Sequence, residues 1–269
     1  MNSYEFVEKA SLEVLTFPHL EGLTAFITTR RGGVSDGPYE SLNIGLHVGD
    51  DAGSVLENRK RVALAARTEP SNFVVPTQAH GPNVHLASED DRGRGSISIE
   101  DTIQGTDALV TATPGIAMMV MVADCVPIIL WDPVARIAGA VHAGWGGTVQ
   151  RVTEAAVRRM ESIGAQPNRI RAGIGPAISG SRYQVGQDVV DQAQRGLGTM
   201  ISQRVVQPDG TGKYLFDLWL ANELVLQDSG VLASQIQTAR IDSRDERFFS
   251  DRDVRPCGRF AAVVMIPEP

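Results

Sequence analysis

Apolar residues along the chain fall into short runs, and two of these runs are nearly continuous. Residues 116–123 and 126–131 are almost entirely apolar, which is typical of strands buried on both faces of a sheet. Shorter apolar or weakly alternating stretches predict further strands at residues 23–29, 73–75, 84–87, 108–111, 136–141, 170–174 and 259–266. The pattern therefore predicts sheets whose central strands are fully buried.

Helical periodicity with recognisable end signals lies between these strands. Ser54 followed by Glu57 is a capping-box pattern, and Gly164 is typical of the residue just after a helix. The predicted helices cover residues 54–66, 146–160, 187–195 and 217–228. Residues 88–104 are polar and glycine-rich and predict a flexible surface loop. Because strands and helices mix without strict alternation, we expect an α+β (mixed α/β) fold in a single domain over residues 1–269, with mixed buried sheets flanked by helices.

Charge and composition exclude some classes of partner. The 269 residues include 25 basic and 32 acidic side chains, a net charge of −7, which is unlike a surface for nucleic acid or anionic membranes. No apolar run reaches the length of a membrane span, and the first residues lack a signal-peptide pattern. We expect a cytoplasmic protein that binds neither nucleic acid nor membrane; its oligomeric state is open.

Three segments place a metal ligand beside glycine or proline. His80, Cys125 and His142 are two imidazoles and one thiolate, a set used by catalytic zinc, which leaves its fourth position to water or substrate. The separations, 125 − 80 = 45 and 142 − 125 = 17 residues, are too long for a local metal motif. From the residues alone, His80 could equally be an ordinary loop histidine and Cys125 a small buried apolar side chain.

Two stretches have the chemistry to bind an anion. Gly146, Gly147 and Thr148 lead into a predicted helix, where free backbone N–H groups favour phosphate, although the glycines could simply permit a tight turn. Arg30 and Arg31 beside two glycines offer guanidinium groups that suit phosphate, and they could equally be surface arginines in a turn.

Longer strings around these residues resemble one family. They are TTRRGGVS (28–35), SLNIG (41–45), NR (58–59), TQAHG (77–81), GTDALVT (105–111), ADCVP (123–127), VHAGWGG (141–147), IGPAI (174–178), YQVG (183–186), FFS (248–250) and GR (258–259). Together they resemble the bacterial laccase-domain, or polyphenol oxidase, family. Its members look like zinc-dependent purine nucleoside phosphorylases and adenosine deaminases, some described as peptidoglycan editing factors. The resemblance extends over nearly the whole chain.

The resemblance implies a reaction and a metal. It implies one zinc per chain on His80, Cys125 and His142, with phosphate and a purine nucleoside (adenosine, inosine, guanosine or methylthioadenosine) as ligands. Zinc would activate water for attack at C6 of adenosine, and we expect Asp124 to be the proton shuttle. Copper chemistry would need more imidazoles than the five histidines supply.

Further residues enter only through the resemblance. It adds Asn43 and Arg59 as substrate or phosphate contacts. The chain departs from the family pattern at Gly146, where many relatives have arginine, at Gln184, where glutamate is frequent, and at Asp251, where an aromatic residue is usual. Substrate preference is therefore less determined than the metal set.

Two other function classes remain open from the sequence. In a cysteine hydrolase, Cys125 would be the nucleophile and His142 or His80 its base, acting in peptidoglycan precursor editing. A non-catalytic zinc module would need a closed four-ligand site, for which Cys257 is the available fourth ligand. Metal content separates the hydrolase from the main interpretation.

Overall fold

A computed structural model describes residues 3–268, which contain fifteen strands and five α-helices. The strands are β1 (Glu5–Lys9), β2 (Leu12–Thr16), β3 (Thr24–Thr28), β4 (Phe73–Val74), β5 (Val84–Leu86), β6 (Ala108–Thr111), β7 (Ala117–Val122), β8 (Val126–Asp132), β9 (Ile137–Ala143), β10 (Arg171–Ile174), β11 (Gln184–Val185), β12 (Val206–Pro208), β13 (Tyr214–Phe216), β14 (Ile236–Thr238) and β15 (Phe260–Met265). The helices are α1 (Ala52–Ala65), α2 (Trp145–Val149), α3 (Val152–Glu161), α4 (Gln187–Val205) and α5 (Leu218–Asp228). No helix within the described residues has the length and apolar character needed to span a membrane.

Two six-stranded sheets form the centre of the fold. Their strand orders are β1-β2-β3-β15-β7-β4 in the first sheet and β14-β10-β8-β9-β6-β5 in the second, and β11-β13-β12 form a small third sheet. Most neighbouring strands are antiparallel, while β4 with β7, β5 with β6 and β10 with β14 are parallel. The predicted mixed α/β class with mixed buried sheets is confirmed.

The two large sheets pack face to face, with helices on both outer faces. One apolar cluster lies between the sheets and includes Val120, Ile129 and Phe260. A second cluster joins the outer face of the first sheet to α1, and a third joins the outer face of the second sheet to α2, α3, α4 and α5. Every residue of β7, β8 and β9 is buried, as their apolar runs predict. Burying one aliphatic side chain contributes about 1.5–3 kcal/mol to the stability of the fold, so these strands are strongly stabilised by burial.

The chain crosses from the first sheet to the second through a three-residue link. Ala123, Asp124 and Cys125 connect the end of β7 to the start of β8. Asp124 has φ = 90°, a left-handed backbone conformation that is uncommon for a residue other than glycine. The link places Cys125 at the ends of strands from both sheets.

Several predicted elements need correction at their ends. The first helix is capped by Asp51, whose carboxylate accepts from the Ser54 N–H at 2.7 Å, so Ser54 lies inside the helix and is not its cap. The helix predicted over residues 146–160 is broken into α2 and α3 at Arg151, whose φ of 60° cannot continue a right-handed helix. α4 packs tightly against the end of α2 just before this break, since a Cβ on Gly196 would be 1.8 Å from the Val149 carbonyl oxygen.

The loop over residues 88–104 is attached to the core at its middle. The Arg59 guanidinium donates to the carbonyl oxygens of Gly95 and Ser96 at 2.6 and 2.7 Å. Ile97 and Ile99, which follow these two residues, are exposed. The loop is therefore partly buried and positioned by a charged side chain from α1.

Candidate active site

The three predicted metal ligands lie together. The ligand atoms of His80, Cys125 and His142 are all within 4.8 Å of one another, and Cys125 Sγ is 3.8 Å from His80 Nε2. His142 belongs to β9, Cys125 precedes β8, and His80 lies in the loop after β4. The two imidazole rings meet edge to face with centroids 4.7 Å apart. Residues far apart in sequence thus form one compact donor set.

Asp107 holds both histidines in place. Its Oδ1 lies 2.8 Å from His142 Nδ1, which fixes that nitrogen as a donor and leaves Nε2 available on the other side of the ring. The same carboxylate accepts backbone N–H groups of Ala79, His80 and Gly81 at 3.1, 2.9 and 2.8 Å. These bonds retain His80 in a left-handed conformation, φ = 58°, which costs on the order of 1–3 kcal/mol. Asp107 is therefore a positioning residue for the site.

Asp107 was not predicted as a site residue from the sequence. The signal was present, because Asp107 is fully buried directly before the strand β6 and lies in the GTDALVT string. A buried carboxylate requires a partner, and His142 is the partner of Asp107.

Cys125 and His142 shift each other's ionisation. Burial raises the pKa of the Cys125 thiol, but the charge of His142 and hydrogen bonds from both histidines outweigh it and lower this pKa to about 6. Burial lowers the pKa of His142, whereas the Cys125 thiolate and Asp107 raise it to about 9. Without a metal the pair is therefore a thiolate beside an imidazolium at neutral pH.

The chemistry of the donor set fits a zinc ion. Two ligands on one tetrahedral zinc with bonds of about 2.0–2.3 Å lie about 3.5 Å apart, close to the 3.8 Å between Cys125 Sγ and His80 Nε2. A carboxylate on the far nitrogen of a ligating histidine, as Asp107 is to His142, is the usual second partner of such a ligand. Within residues 3–268 this is the one group of three or more such side chains with converging ligand atoms. The group suits one ion.

Gly144 leaves the space that the donor set needs. A Cβ at this position would lie 2.7 Å from His80 Cδ2 and 2.9 Å from Cys125 Sγ. A Cβ at Gly146 would lie 2.8 Å from the His80 carbonyl oxygen, and one at Gly147 would lie 3.2 Å from the Gly81 carbonyl oxygen. The glycines of the VHAGWGG string therefore allow β9 and α2 to approach the His80 loop.

The predicted anion contacts Gly146, Gly147 and Thr148 are not among the residues that line the pocket beside the donor set. These residues belong to α2, which has only five residues, and all three are buried. Thr148 Oγ1 accepts from the Asn222 side chain at 3.0 Å. The glycines allow close packing against the His80 loop, and their role in binding an anion stays a prediction.

Asp124 has a carboxylate that is already engaged. Ser243 Oγ and Ser250 Oγ donate to its Oδ1 at 2.5 and 2.7 Å, and the Arg252 N–H donates to Oδ2 at 2.7 Å. Asp124 therefore fixes the segment over residues 243–252 against the β7–β8 link. Its proton-shuttle role remains a prediction.

A pocket of about 740 Å³ opens beside the donor set. Its wall includes His80, Gln78 and Arg59. The Gln78 side chain forms two hydrogen bonds with the backbone of Met121, at 2.7 and 2.8 Å. Arg59 Nη2 lies 3.8 Å from the sulfur of the same methionine. The volume is typical of small-molecule sites, which span about 300–1,000 Å³. Other lining residues include His47, Ile99, Asp124, Trp145, Tyr183, Asp251, Arg252, Arg255 and Arg259.

Arg59 is a buried cation that lines this pocket. The side chain is 2% exposed and donates to carbonyl oxygens of Ile44, Gly95 and Ser96, but it makes no ion pair with a carboxylate anywhere in the described part of the chain. Burial lowers its pKa to about 10, so it remains charged at neutral pH. The structure thus places the predicted Arg59 where its charge lacks a protein counterion.

His47 and Arg259 are pocket residues to which the sequence analysis gave no role. Enclosure of the ring, followed by the charges of Arg259 and Arg59, lowers the pKa of His47 to about 4. His47 is an exposed residue at the pocket, close enough to both arginines to feel their charges. The ring is neutral at pH 7 and can accept or donate a hydrogen bond.

Three predicted substrate or phosphate contacts lie outside the pocket lining. Arg30 lies over the Phe249 ring at 4.6 Å and donates to the Glu40 carbonyl oxygen. Arg31 pairs with Glu13 and Glu246 on the outer surface, so its guanidinium has carboxylate partners already. Asn43 is buried and accepts the Arg259 N–H at 2.9 Å, which places it one residue removed from the pocket. Local sequence could not reveal these distant partners.

Comparisons with known proteins agree over almost the full length. Residues 24–267 match the family described as multi-copper polyphenol oxidoreductase laccase. A purine nucleoside phosphorylase of Deinococcus radiodurans is 39% identical over 258 residues, covering 95% of this chain and 94% of that protein. Adenosine deaminase RL5, from an unknown prokaryotic organism, is 39% identical over 246 residues, covering 90% of this chain and 93% of that protein.

Solved structures show the same fold. A hypothetical protein YfiH of Bacillus licheniformis has a TM-score of 0.93 at 31% identity, covering 99% of this chain and 100% of that one. YlmD of Geobacillus stearothermophilus has a TM-score of 0.90 at 33% identity, covering 98% and 99% of the two chains. The chain therefore belongs to the laccase-like polyphenol oxidoreductase family, among whose relatives are proteins named purine nucleoside phosphorylase and adenosine deaminase.

Proposed function

We propose that this protein is a zinc-dependent purine nucleoside phosphorylase that also deaminates adenosine. The observation that carries the proposal is one pocket lined both by the His80, Cys125 and His142 donor set and by Arg59, a buried cation without a carboxylate partner in the described residues. The first suits a metal and the second suits an anionic co-substrate. Relatives named for both activities support the same conclusion.

The donor set would hold one zinc. His142 would bind through Nε2, because Asp107 occupies its Nδ1, and the Cys125 thiolate and His80 would complete three protein ligands. When bound, zinc supplies Lewis-acid activation of water near neutral pH. Asp107 orients the His142 imidazole and holds the backbone of the His80 loop.

Arg59 and Arg259 would bind phosphate during phosphorolysis. In that reaction a phosphate oxygen bonds to C1′ of the ribose while the glycosidic bond breaks and the purine leaves with the electron pair. Arg59 is held by three carbonyl oxygens, so its charge is oriented before the anion arrives. His47, neutral and adjacent to both arginines, can donate a hydrogen bond to the same anion without adding charge.

Aromatic side chains near the donor set would hold the purine. Trp145 and Tyr183 line the pocket and are partly buried, and the Arg252 guanidinium lies 5.1 Å above the Tyr183 ring. Flat apolar surfaces of this kind suit a base, and they discriminate little among adenosine, inosine, guanosine and methylthioadenosine.

Asp124 would move the proton during deamination. Since Ser243 and Ser250 both donate to its Oδ1, a proton can enter through a serine hydroxyl that accepts one proton while passing on its own. The proton would then return to the departing ammonia. The relay lets the carboxylate remain hydrogen-bonded throughout.

A cysteine hydrolase acting on peptidoglycan precursors is the second candidate. The observation that favours it is the thiolate–imidazolium pair of Cys125 and His142, with pKa values of about 6 and 9. A zinc site without its metal has the same charges, so the pair alone does not separate the two candidates.

Metal content and reaction products test the proposal. We expect about one zinc per chain by elemental analysis. Adenosine should give inosine without phosphate, and adenine plus ribose-1-phosphate with it, as resolved by chromatography. Survival of all four nucleosides with zinc-loaded protein would contradict the nucleoside assignment. Full activity in strong chelator, abolished by alkylation of Cys125, would support the hydrolase instead.

A further inference from the structure

Asp251 places a negative charge among the arginines of the pocket. Its Oδ2 accepts from Arg255 Nε at 2.7 Å, and its Oδ1 lies 3.2 Å from Arg259 Nη2. The pair with Arg259 is partly shielded from water, with side chains 26% and 20% exposed. Of the lining carboxylates in the described chain, Asp251 is the one that pairs with guanidinium groups. The pocket therefore contains an internal anion.

Arg259 has little freedom to avoid this anion. Its Nη1 donates to the carbonyl oxygens of Cys257 and Gly258, both at 3.0 Å, and its stem packs so closely that a Cβ on Gly45 would lie 3.0 Å from its Cγ. Nε and Nη2 remain, and Asp251 accepts from Nη2. A second anion that reaches Arg259 must therefore bind the guanidinium beside the Asp251 carboxylate or displace it.

Arg59 differs from Arg259 in this respect. Arg59 has only neutral oxygen acceptors and a thioether around it, so an arriving anion meets no competing carboxylate there. Two arginines of one pocket thus offer unequal binding: one is unpaired and the other is already neutralised. The affinity for a phosphate that touches both is set partly by the carboxylate.

We propose that Asp251 is a specificity-determining residue that weakens phosphate binding by occupying Arg259, and so shifts this protein from phosphorolysis toward deamination. The inference rests on the proposed function. A phosphate dianion near the Asp251 carboxylate is repelled in a partly desolvated site, where charges act more strongly than in water. Deamination requires no phosphate and does not meet this repulsion.

The test compares Asp251→Asn with Asp253→Asn. Asparagine at 251 keeps the shape and an oxygen for Arg259 but removes the charge. Asp253 lies two residues away, pairs with Arg182 and Arg244, and is not among the pocket-lining residues, so its change is a matched loss of one acidic charge. Zinc-loaded proteins are titrated with inorganic phosphate by calorimetry, and the rates of adenine and inosine formation are measured as phosphate is varied. Zinc content and thermal melting show that each variant is folded.

We expect Asp251→Asn to lower the phosphate Kd and KM roughly tenfold and to raise the ratio of adenine to inosine, with Asp253→Asn like wild type. An unchanged or higher phosphate Kd in folded Asp251→Asn overturns the inference, because Asp251 would then hold Arg259 for phosphate or lie apart from it. In that case wild-type phosphorolysis would still stand. If wild-type protein neither binds phosphate nor cleaves adenosine with it, the proposed function fails and the inference fails with it.

Discussion

His142 and Asp107 form a buried pair, with Nδ1 and Oδ1 2.8 Å apart, and through Asp107 this pair connects His142 to the His80 loop. The carboxylate that orients His142 also accepts three consecutive backbone N–H groups of the His80 loop. Displacing Asp107 would therefore disturb two ligands together.

Asp107→Asn should weaken zinc binding by about 10–100-fold. The amide cannot accept from all of these donors, because one of its two positions is itself a donor. Competition with a calibrated chelator measures the affinity. Asp91→Asn is the control, since Asp91 forms a similar pair with His85, at 2.9 Å, away from the donor set. Equal zinc affinity in wild type and Asp107→Asn would show that the loop does not depend on this carboxylate.

Gly144→Ala should impair the metal site more than the fold. The new Cβ would collide with side-chain atoms of His80 and Cys125, which can move aside, and overpacking of this kind costs about 1–3 kcal/mol of unfolding free energy. Zinc affinity should fall at least tenfold. Gly81→Ala provides the comparison, because a Cβ there meets its nearest neighbour only at 3.8 Å. A Gly144→Ala protein with normal zinc content and activity would disprove the steric argument.

The apolar pattern predicted the buried strands well and the partly exposed strands poorly. β7 and β8 are recognisable because burial on both faces leaves almost no polar residues, whereas β1 and the short strands β11, β12 and β13 are partly exposed and lack such a signal. The predicted start of α1 differs from the observed start because the Asp51 side chain caps the helix.

For the site, the resemblance named the three residues that the structure brings together, whereas the predicted anion contacts Arg30, Arg31 and Asn43 lie outside the pocket lining. Arg31 has a guanidinium group that could bind phosphate. It pairs instead on the outer surface with Glu246, which lies 215 residues away in the sequence. Arg59 was predicted only from the resemblance, and the physical reason for its role, its burial, is visible only in the structure. Pairing across such sequence distances follows from the fold and is not encoded in neighbouring residues.

Arg59→Lys should reduce both stability and phosphorolysis. A single ammonium group cannot replace the bonds to Ile44, Gly95 and Ser96, and each unsatisfied buried carbonyl costs about 1–3 kcal/mol. The phosphate KM should rise at least tenfold. Arg61→Lys on the exposed side of α1, where Arg61 pairs with Glu57, should change the unfolding free energy by less than about 1 kcal/mol. Similar melting curves and phosphate KM values for both variants would exclude a special role for Arg59.

Metal-free protein should show an acidic Cys125 that depends on His142. The pKa of Cys125 is lowered to about 6, so the stability gained from its thiolate is present at high pH and is lost as pH falls through 6. The pKa of His142 is raised to about 9, so the stability from its imidazolium is present at low pH and is lost as pH rises through 9. Both charges coexist between these values.

The measurement is the rate of alkylation by iodoacetamide against pH, after chelation, in a Cys257→Ala background that leaves one thiol. The midpoint should lie near 6 and should move toward the ordinary cysteine value of about 8.5 in His142→Gln, because the neighbouring positive charge is lost. Added zinc should suppress the reaction in the protein with His142 intact, since a thiolate bound to metal is no longer free to attack. A midpoint near 8.5 with His142 present would show that the pair is not ionised, and rapid alkylation at full zinc loading would remove Cys125 from the donor set.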